Sequence, residues 1–242
     1  MIKEEELINK LKEAKSLAVL TGAGISTESG VPTFRGKDGL WKQYRAEELA
    51  TPYAFASNPK LVWEWYDWRR SIIKPLSPNA AHITIAKLEN YYNKFKLITQ
   101  NVDGLHEKAG SKNIIELHGN IWKVQCTAEG YVNDNYDVPL KEIPPKCRCS
   151  ALLRPYIVWF GEPLHLGTFE NAVSAVQNAD ILLVIGTSAI VQPAASLPII
   201  TKEANRLVIE INIEDTPLTP IVDLSIKGKA AEILPRLFSW LL

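Results

Sequence analysis

Cysteine is scarce in this chain: three in 242 residues, at positions 126, 147 and 149. A small odd number excludes a disulfide framework and suits a reducing compartment, and the close pair favours a metal over a bridge. Excess charge of one sign is also missing. Lys plus Arg and Asp plus Glu are both 27, so nothing favours nucleic acid or an anionic membrane as a partner. No apolar run approaches the length of a membrane span. The N-terminus starts with a charged helical pattern, Leu7, Ile8 and Leu11 on one face, and no signal-peptide core follows. The expectation is a cytoplasmic protein that touches neither membrane nor nucleic acid directly. Internal repeats and low-complexity tracts are absent, and there is a single methionine.

What is present is a series of short apolar runs, at 17–20, 95–98, 181–185, 207–211 and 222–226. Most show little period-2 alternation, the pattern of strands covered on both faces. Amphipathic stretches at 79–92 and 167–178 lie between them. Strands alternating with helices predict an α/β protein, a parallel sheet with helices on both faces. Polar, small or ionisable residues follow the expected strands: TGAG after Leu20, TQNVDG after Ile98, ELHG after Ile115, GTS after Ile185, and NIED after Ile211. In open α/β sheets that carboxyl edge holds the ligand crevice. Two segments break the alternation. Residues 41–77 are helical and aromatic; residues 121–154 hold every cysteine and a polar, Pro-rich stretch. Both read as insertions that pack together as a small second domain.

Several groups at the predicted edge carry chemistry. Gly22 and Gly24 remove side chains that would hold a backbone away from a phosphate, and Ser26, Thr27 and Ser29 add hydroxyls. Phe34 and Arg35 follow with an apolar plate and a fixed cation. The same glycines also suit a tight strand-to-helix turn with no ligand, and Thr27 stands where a Rossmann fingerprint has its third glycine. His118 has the pKa range of a general base, or is a loop histidine bonded to backbone. Gln100, Asn101 and Asp103 can bind a carboxamide or sugar hydroxyls, though Asp103-Gly104 is also common turn chemistry. Asn212 and Glu214 stand where acidic or amide groups hold ribose hydroxyls. His82 and His106 read as structural. Tyr66 and Arg69, three apart on a predicted helix, can together grip a carboxylate, or can simply rim the core. Cys126, then 20 residues, then Cys147-Arg148-Cys149 is a shortened zinc-ribbon pattern, with Glu129 where the first knuckle lacks its partner. Three thiolates plus a carboxylate or water can hold zinc; buried or vestigial thiols are the other reading.

GAGIS with FRG, TQNVDGLH, ELHG, the cysteine segment, LLRPYIVWFGE, IGTS, and IN-x-E with a later GKA appear in this order across nearly the whole chain. As a set they resemble the sirtuin family of NAD-dependent protein deacylases. The stretch from FRGKDGLW through ELATPYAF to VWEWYDWRR is most similar to the class that removes acidic acyl groups. The resemblance implies a Rossmann-type large domain (1–40, 78–120 and 155–242). It also implies a small helical and zinc-ribbon-like domain (41–77 and 121–154). It sets NAD, consumed as co-substrate, against Gly22, Ala23, Gly24, Ser26, Thr33, Phe34, Arg35 and Trp41. Further NAD contacts are expected from Gln100, Asn101, Val102, Asp103, Gly186, Thr187, Ser188, Asn212, Ile213, Glu214 and Ala230. His118 matches the family's base, with Asn101 and Asp103 beside it. Val158, Trp159, Phe160, Gly161 and Glu162 match the loop that pairs with a substrate backbone. Tyr66 and Arg69 match the readers of a succinyl or malonyl carboxylate, and Ala50 a small residue that leaves room for the acyl chain. The implied activity is deacetylation together with desuccinylation and demalonylation of lysine side chains on proteins. Its products are free lysine, nicotinamide and O-acyl-ADP-ribose. Protein mono-ADP-ribosyl transfer and non-catalytic NAD or ADP-ribose sensing are the alternatives. The departure is the metal: a structural zinc, usually held by four cysteines, has three here, Cys126, Cys147 and Cys149.

Overall fold

The computed structural model describes residues 4–32, 40–41 and 44–241. The elements are α1 (Glu4–Glu13), β1 (Ser16–Thr21), α2 (Gly24–Thr27), β2 (Leu40–Trp41), β3 (Tyr44–Arg45), α3 (Ala46–Leu49), α4 (Pro52–Ser57), α5 (Pro59–Ile73), α6 (Ala80–Tyr91), β4 (Lys94–Thr99), α7 (Leu105–Lys108), β5 (Ile114–Glu116), β6 (Gly119–Cys126), β7 (Val132–Asp134), β8 (Leu153–Ile157), α8 (Thr168–Asn178), β9 (Ile181–Ile185), α9 (Leu197–Glu203), β10 (Leu207–Asn212), β11 (Leu224–Lys227) and α10 (Ala230–Leu237).

Six strands form one sheet in the order β11-β10-β9-β1-β4-β5, and every pairing in it is parallel. The five predicted runs fall on β1, β4, β9, β10 and β11, the last shifted to Leu224–Lys227, and the short β5 is the sixth strand. β1 and β9 are buried at every position, because alternate side chains enter different cores. Leu17 and Val19 pack with Leu7 and Leu11 of α1, Ile85 and Leu88 of α6, and Leu234 of α10. Ala18 and Leu20 point the other way, toward Ala172 and Val176 of α8 and Leu197 of α9. A strand sandwiched in this way has no polar face, which is why alternation is missing from its sequence.

β1 sits at the centre, with β9 on one side and β4 on the other. The chain therefore leaves the sheet in opposite directions on the two sides of β1, the topological switch point where α/β proteins open a crevice.

A third core joins the two insertions. Val62, Trp63, Trp65, Tyr66 and Ile73 of α5 pack on Ile121 and Val124 of β6, Ile157 of β8 and Leu140. β6 is the centre of an antiparallel sheet ordered β7-β6-β8. α5 begins on firm local signals: the Asn58 side chain accepts the Leu61 N–H, and Pro59 occupies the first turn. Arg70 is fully buried between the insertions. Its Nε donates to the Ile121 carbonyl at 2.8 Å, an Nη donates to Asn135 Oδ1 at 2.8 Å, and its guanidinium lies over the Trp63 ring. The Trp63 indole donates to the Leu153 carbonyl at 2.8 Å. No helix among the described residues is long and apolar enough to cross a membrane.

Candidate active site

The carboxyl edge of the large sheet and the inner face of the third core enclose one cleft of about 1080 Å³. The turn after β1 forms its first wall. Gly22 N–H donates to Ile185 O at 3.0 Å and Gly24 N–H to Gly186 O at 2.8 Å. A Cβ on Gly22 would stand 2.8 Å from Gly186 O, and one on Gly24 2.8 Å from Gly186 Cα. The sequence leaves both a phosphate's approach and a tight strand-to-helix turn open for these glycines. Their first steric duty is to let the β1 and β9 turns interlock, and the same backbone then faces the cleft.

The second wall follows β4. Gln100 Nε2 donates to Thr187 Oγ1 at 3.0 Å, and Asn101 Nδ2 donates to Ser26 Oγ at 3.1 Å. Ser26 also meets His82 Nε2 at 3.3 Å. Asp103 is buried and accepts the Leu105 N–H at 2.9 Å. Burial raises its pKa, and bonds from Leu105 and Ser26 and the nearby Arg69 oppose that rise. At the far end Asn212 Nδ2 donates to Thr187 O at 2.9 Å, while Ile213 and Glu214 are exposed.

His118 leaves β5 just before β6. Its Nδ1 lies 3.0 Å from the Gln100 carbonyl. A carbonyl only accepts, so Nδ1 carries the proton and Nε2 keeps its lone pair. Burial lowers the His118 pKa, and the Gln100 bond partly restores it. Gly119 is required beside it: φ is +81°, and a Cβ would stand 2.1 Å from Tyr156 O on β8.

The third wall comes from the third core. Tyr66 and Arg69 share a face of α5, and Ala50 lies nearby; all three line the cleft. The Trp159 indole donates to Tyr66 Oη at 2.9 Å, and burial pushes the Tyr66 phenol up to about 12. Burial lowers the pKa of Arg69, against the pull of Tyr66 and Asp103. Residues 158–162 form a turn after β8 rather than an open strand edge. Val158 N–H donates to His118 O, Phe160 N–H to Ala50 O and Glu162 N–H to Trp159 O, and Trp159 N–H donates to Glu162 Oε2. Only Gly161 among the five has an N–H outside these bonds. The Glu162 carboxylate is engaged by Arg154 through two bonds, at 2.7 and 2.8 Å.

The cleft thus brings together Gly22, Ala23, Gly24 and Ser26; Gln100 to Asp103; His118; Gly186 to Ser188; Asn212 to Glu214; and Ala230. Ala50, Tyr66, Arg69 and Val158 to Glu162 complete it. Thr33, Phe34, Arg35 and the side chain of Trp41 lie outside the described residues. Sequence reasoning missed Lys229, Leu166, Phe169 and Gln192, which also line the cleft. Lys229 is the middle of GKA and was within reach of the motif; Phe169 lies in the first turn of α8, and Leu166 and Gln192 come from connections whose composition gives no sign of where they fold.

The cysteines lie outside this cleft. Their three sulfurs and a Glu129 carboxylate oxygen fall within 4.8 Å of one another. Cys126 Sγ accepts the Glu129 N–H at 3.4 Å, and Cys147 Sγ accepts the Cys149 N–H at 3.3 Å. Backbone N–H groups directed at sulfur favour thiolate, and thiolates with one oxygen donor are a fitting zinc set.

A model of the Sir2 family matches residues 22–193. A protein of Aquifex aeolicus described as an NAD-dependent protein deacylase is 54% identical over 230 residues, covering 95% of this chain and 96% of its own. NAD-dependent protein deacylase 1 of Caldanaerobacter subterraneus is 56% identical over 214 residues, covering 88% of each chain. A solved Sir2 homologue in complex with NAD aligns at a TM-score of 0.93 and 50% identity, covering 98% of this chain and 93% of that one. By a family match over most of its length and relatives above half identity, this chain belongs to the Sir2 family.

Proposed function

We propose that this protein removes acetyl, succinyl and malonyl groups from lysine side chains of proteins. It is an enzyme, an NAD-dependent protein deacylase, and NAD is its co-substrate. The related proteins carry that activity in their description, and similar structures hold NAD, or a p53 peptide with an acetyl ADP-ribose. The observation that carries the finer reading is a single one. Tyr66 and Arg69 stand on the wall of the same cleft that His118 and Asn101 line. A guanidinium and a phenolic O–H suit a carboxylate at the end of an acyl chain.

In this reading NAD supplies an electrophilic ribose carbon once nicotinamide leaves, and a ribose hydroxyl that completes the acyl transfer. His118 Nε2 takes the proton from that hydroxyl; its Nδ1–H, fixed on Gln100 O, holds the tautomer that leaves Nε2 basic. Asn101 and Asp103 line the nicotinamide and ribose end. Gly22 to Ser26 and Gly186 to Ser188 hold the phosphates, and Asn212 and Glu214 the far ribose. The substrate backbone lies along residues 158–162, using their carbonyls and the Gly161 N–H. The chain divides into a large NAD domain (1–40, 78–120, 155–242) and a small domain (41–77, 121–154). Cys126, Cys147 and Cys149 hold a structural zinc away from the chemistry.

Acetyl-, malonyl- and succinyl-lysine peptides assayed side by side with NAD test this. Turnover of acetyl-lysine alone would remove the acidic-acyl part and leave the deacylase. Labelled NAD addresses the alternative transfer reaction: label in a small acyl-ADP-ribose is expected, and stable label on protein would favour ADP-ribosylation.

A further inference from the structure

We propose that Glu129 is the fourth metal ligand, so that this chain's zinc site is Cys3Glu. The inference rests on reading the three cysteines as a zinc site and is independent of the acyl specificity. Glu129 follows Cys126 with two residues between, the spacing of a metal knuckle. The turn that makes the Cys126 knuckle also aims the carboxylate: the Glu129 N–H is tied to Cys126 Sγ, and its oxygen lies within 4.8 Å of all three sulfurs. The exposed acids Asp137 and Glu142 of the segment between the cysteines pair with Lys141 and Lys146. Among the described residues no hydrogen bond or ion pair engages the Glu129 carboxylate. Four acidic donors this close repel one another unless a cation sits among them or protons cover them. Zinc accepts three thiolates at about 2.3 Å and one carboxylate oxygen at about 2.0–2.2 Å, so a small inward adjustment completes the shell.

Two consequences follow. Carboxylate oxygen is a harder donor than thiolate, so it binds zinc less strongly than a fourth cysteine would. Cys126 and Cys147 are buried, whereas Glu129 and Cys149 are exposed; the oxygen ligand therefore sits on the open side, where metal enters and leaves. The ion clips the end of β6 to the turn before β8. It closes the segment 127–146, which is otherwise held there by pairs such as Thr127 N–H to Leu152 O at 3.0 Å.

The test measures zinc content of the full chain, zinc affinity by competition with a chromophoric chelator, and absorption of the cobalt-substituted protein. Stoichiometric zinc is expected in the unaltered protein. Glu129→Ala should weaken affinity at least about tenfold, the lower end of what even outer-shell partners of a metal cost. Glu129→Cys should tighten it and strengthen the thiolate-to-cobalt absorption, and it keeps the measurement interpretable if the alanine variant fails to fold. Wild-type affinity in Glu129→Ala, together with loss of zinc in Cys147→Ser, would overturn the assignment: the thiolates and water would then hold the ion. A folded wild-type protein that takes up no zinc would overturn it as well.

Discussion

His118 reaches the cleft with one nitrogen already committed. Donation of Nδ1–H to Gln100 O costs the residue no basicity at Nε2, and burial favours the neutral ring. His118→Ala should abolish acyl removal while NAD affinity, measured by calorimetry, stays close to wild type. A lowered pKa keeps the base-competent form present as pH falls. The acid limb of kcat/KM is therefore expected below the ordinary histidine value of about 6.5, read from a pH–rate profile; an acid limb above that value would count against His118 as the base. Arg69→Met should reduce kcat/KM on succinyl-lysine by about tenfold or more, the scale of a lost charge-assisted bond, and affect acetyl-lysine far less. Equal losses on the two peptides would make Arg69 structural. Gly24 carries a different burden. A methyl there would meet the Gly186 backbone, so Gly24→Ala should cost about 1–3 kcal/mol in a denaturant titration.

At the scale of elements, the turn after β8 behaves as a clamp on the α5 wall. Glu162 holds Arg154 and the Trp159 N–H. Arg154 lies 3.7 Å from the Trp159 ring centroid, and the Trp159 indole fixes the Tyr66 oxygen. That oxygen accepts from Trp159, so its own proton is left to donate. Trp159→Phe removes the indole N–H and keeps an aromatic body. It should raise KM for succinyl-lysine by about fivefold to tenfold, roughly one neutral hydrogen bond, with a smaller change for acetyl-lysine in the same assay. The sequence marked these five residues as a substrate-pairing loop. It did not show that most of their N–H groups close onto the protein, since partners such as Ala50 O and His118 O come from distant segments.

The whole molecule carries a pH dependence of its own. His82 and His106 are buried beneath the cleft, with ring centroids 4.8 Å apart. Burial lowers the His82 pKa to about 4, and burial, with the neighbouring His82, holds that of His106 well below the ordinary histidine value. Both are neutral in the folded protein below pH 6.5, where the unfolded chain takes up protons. Stability should therefore fall as pH drops from about 6.5 toward 4, by up to about 1.4 kcal/mol per unit for each histidine. Thermal melts across that range would check it; a flat melting temperature would mean that both rings take up their protons in the fold as readily as in the unfolded chain.

The parallel strands were legible because burial on both faces erases alternation, and the polar residues behind the runs marked the edge at which the cleft opens. Family motifs added the order of the walls. The roles of Gly22 and Gly24 were half legible: the need for glycine shows in the sequence, the reason for it does not. Strand order, and hence the contact of the β1 turn with the β9 turn, is a non-local result of which faces find a partner. The burial of Arg70 between two insertions and the convergence of Glu129 on three sulfurs are of the same kind. Local patterning set what each segment could become, since period and turn chemistry act over a few residues. Which segments face one another across the cleft was decided only by tertiary packing, because three separate cores must close at once around one chain.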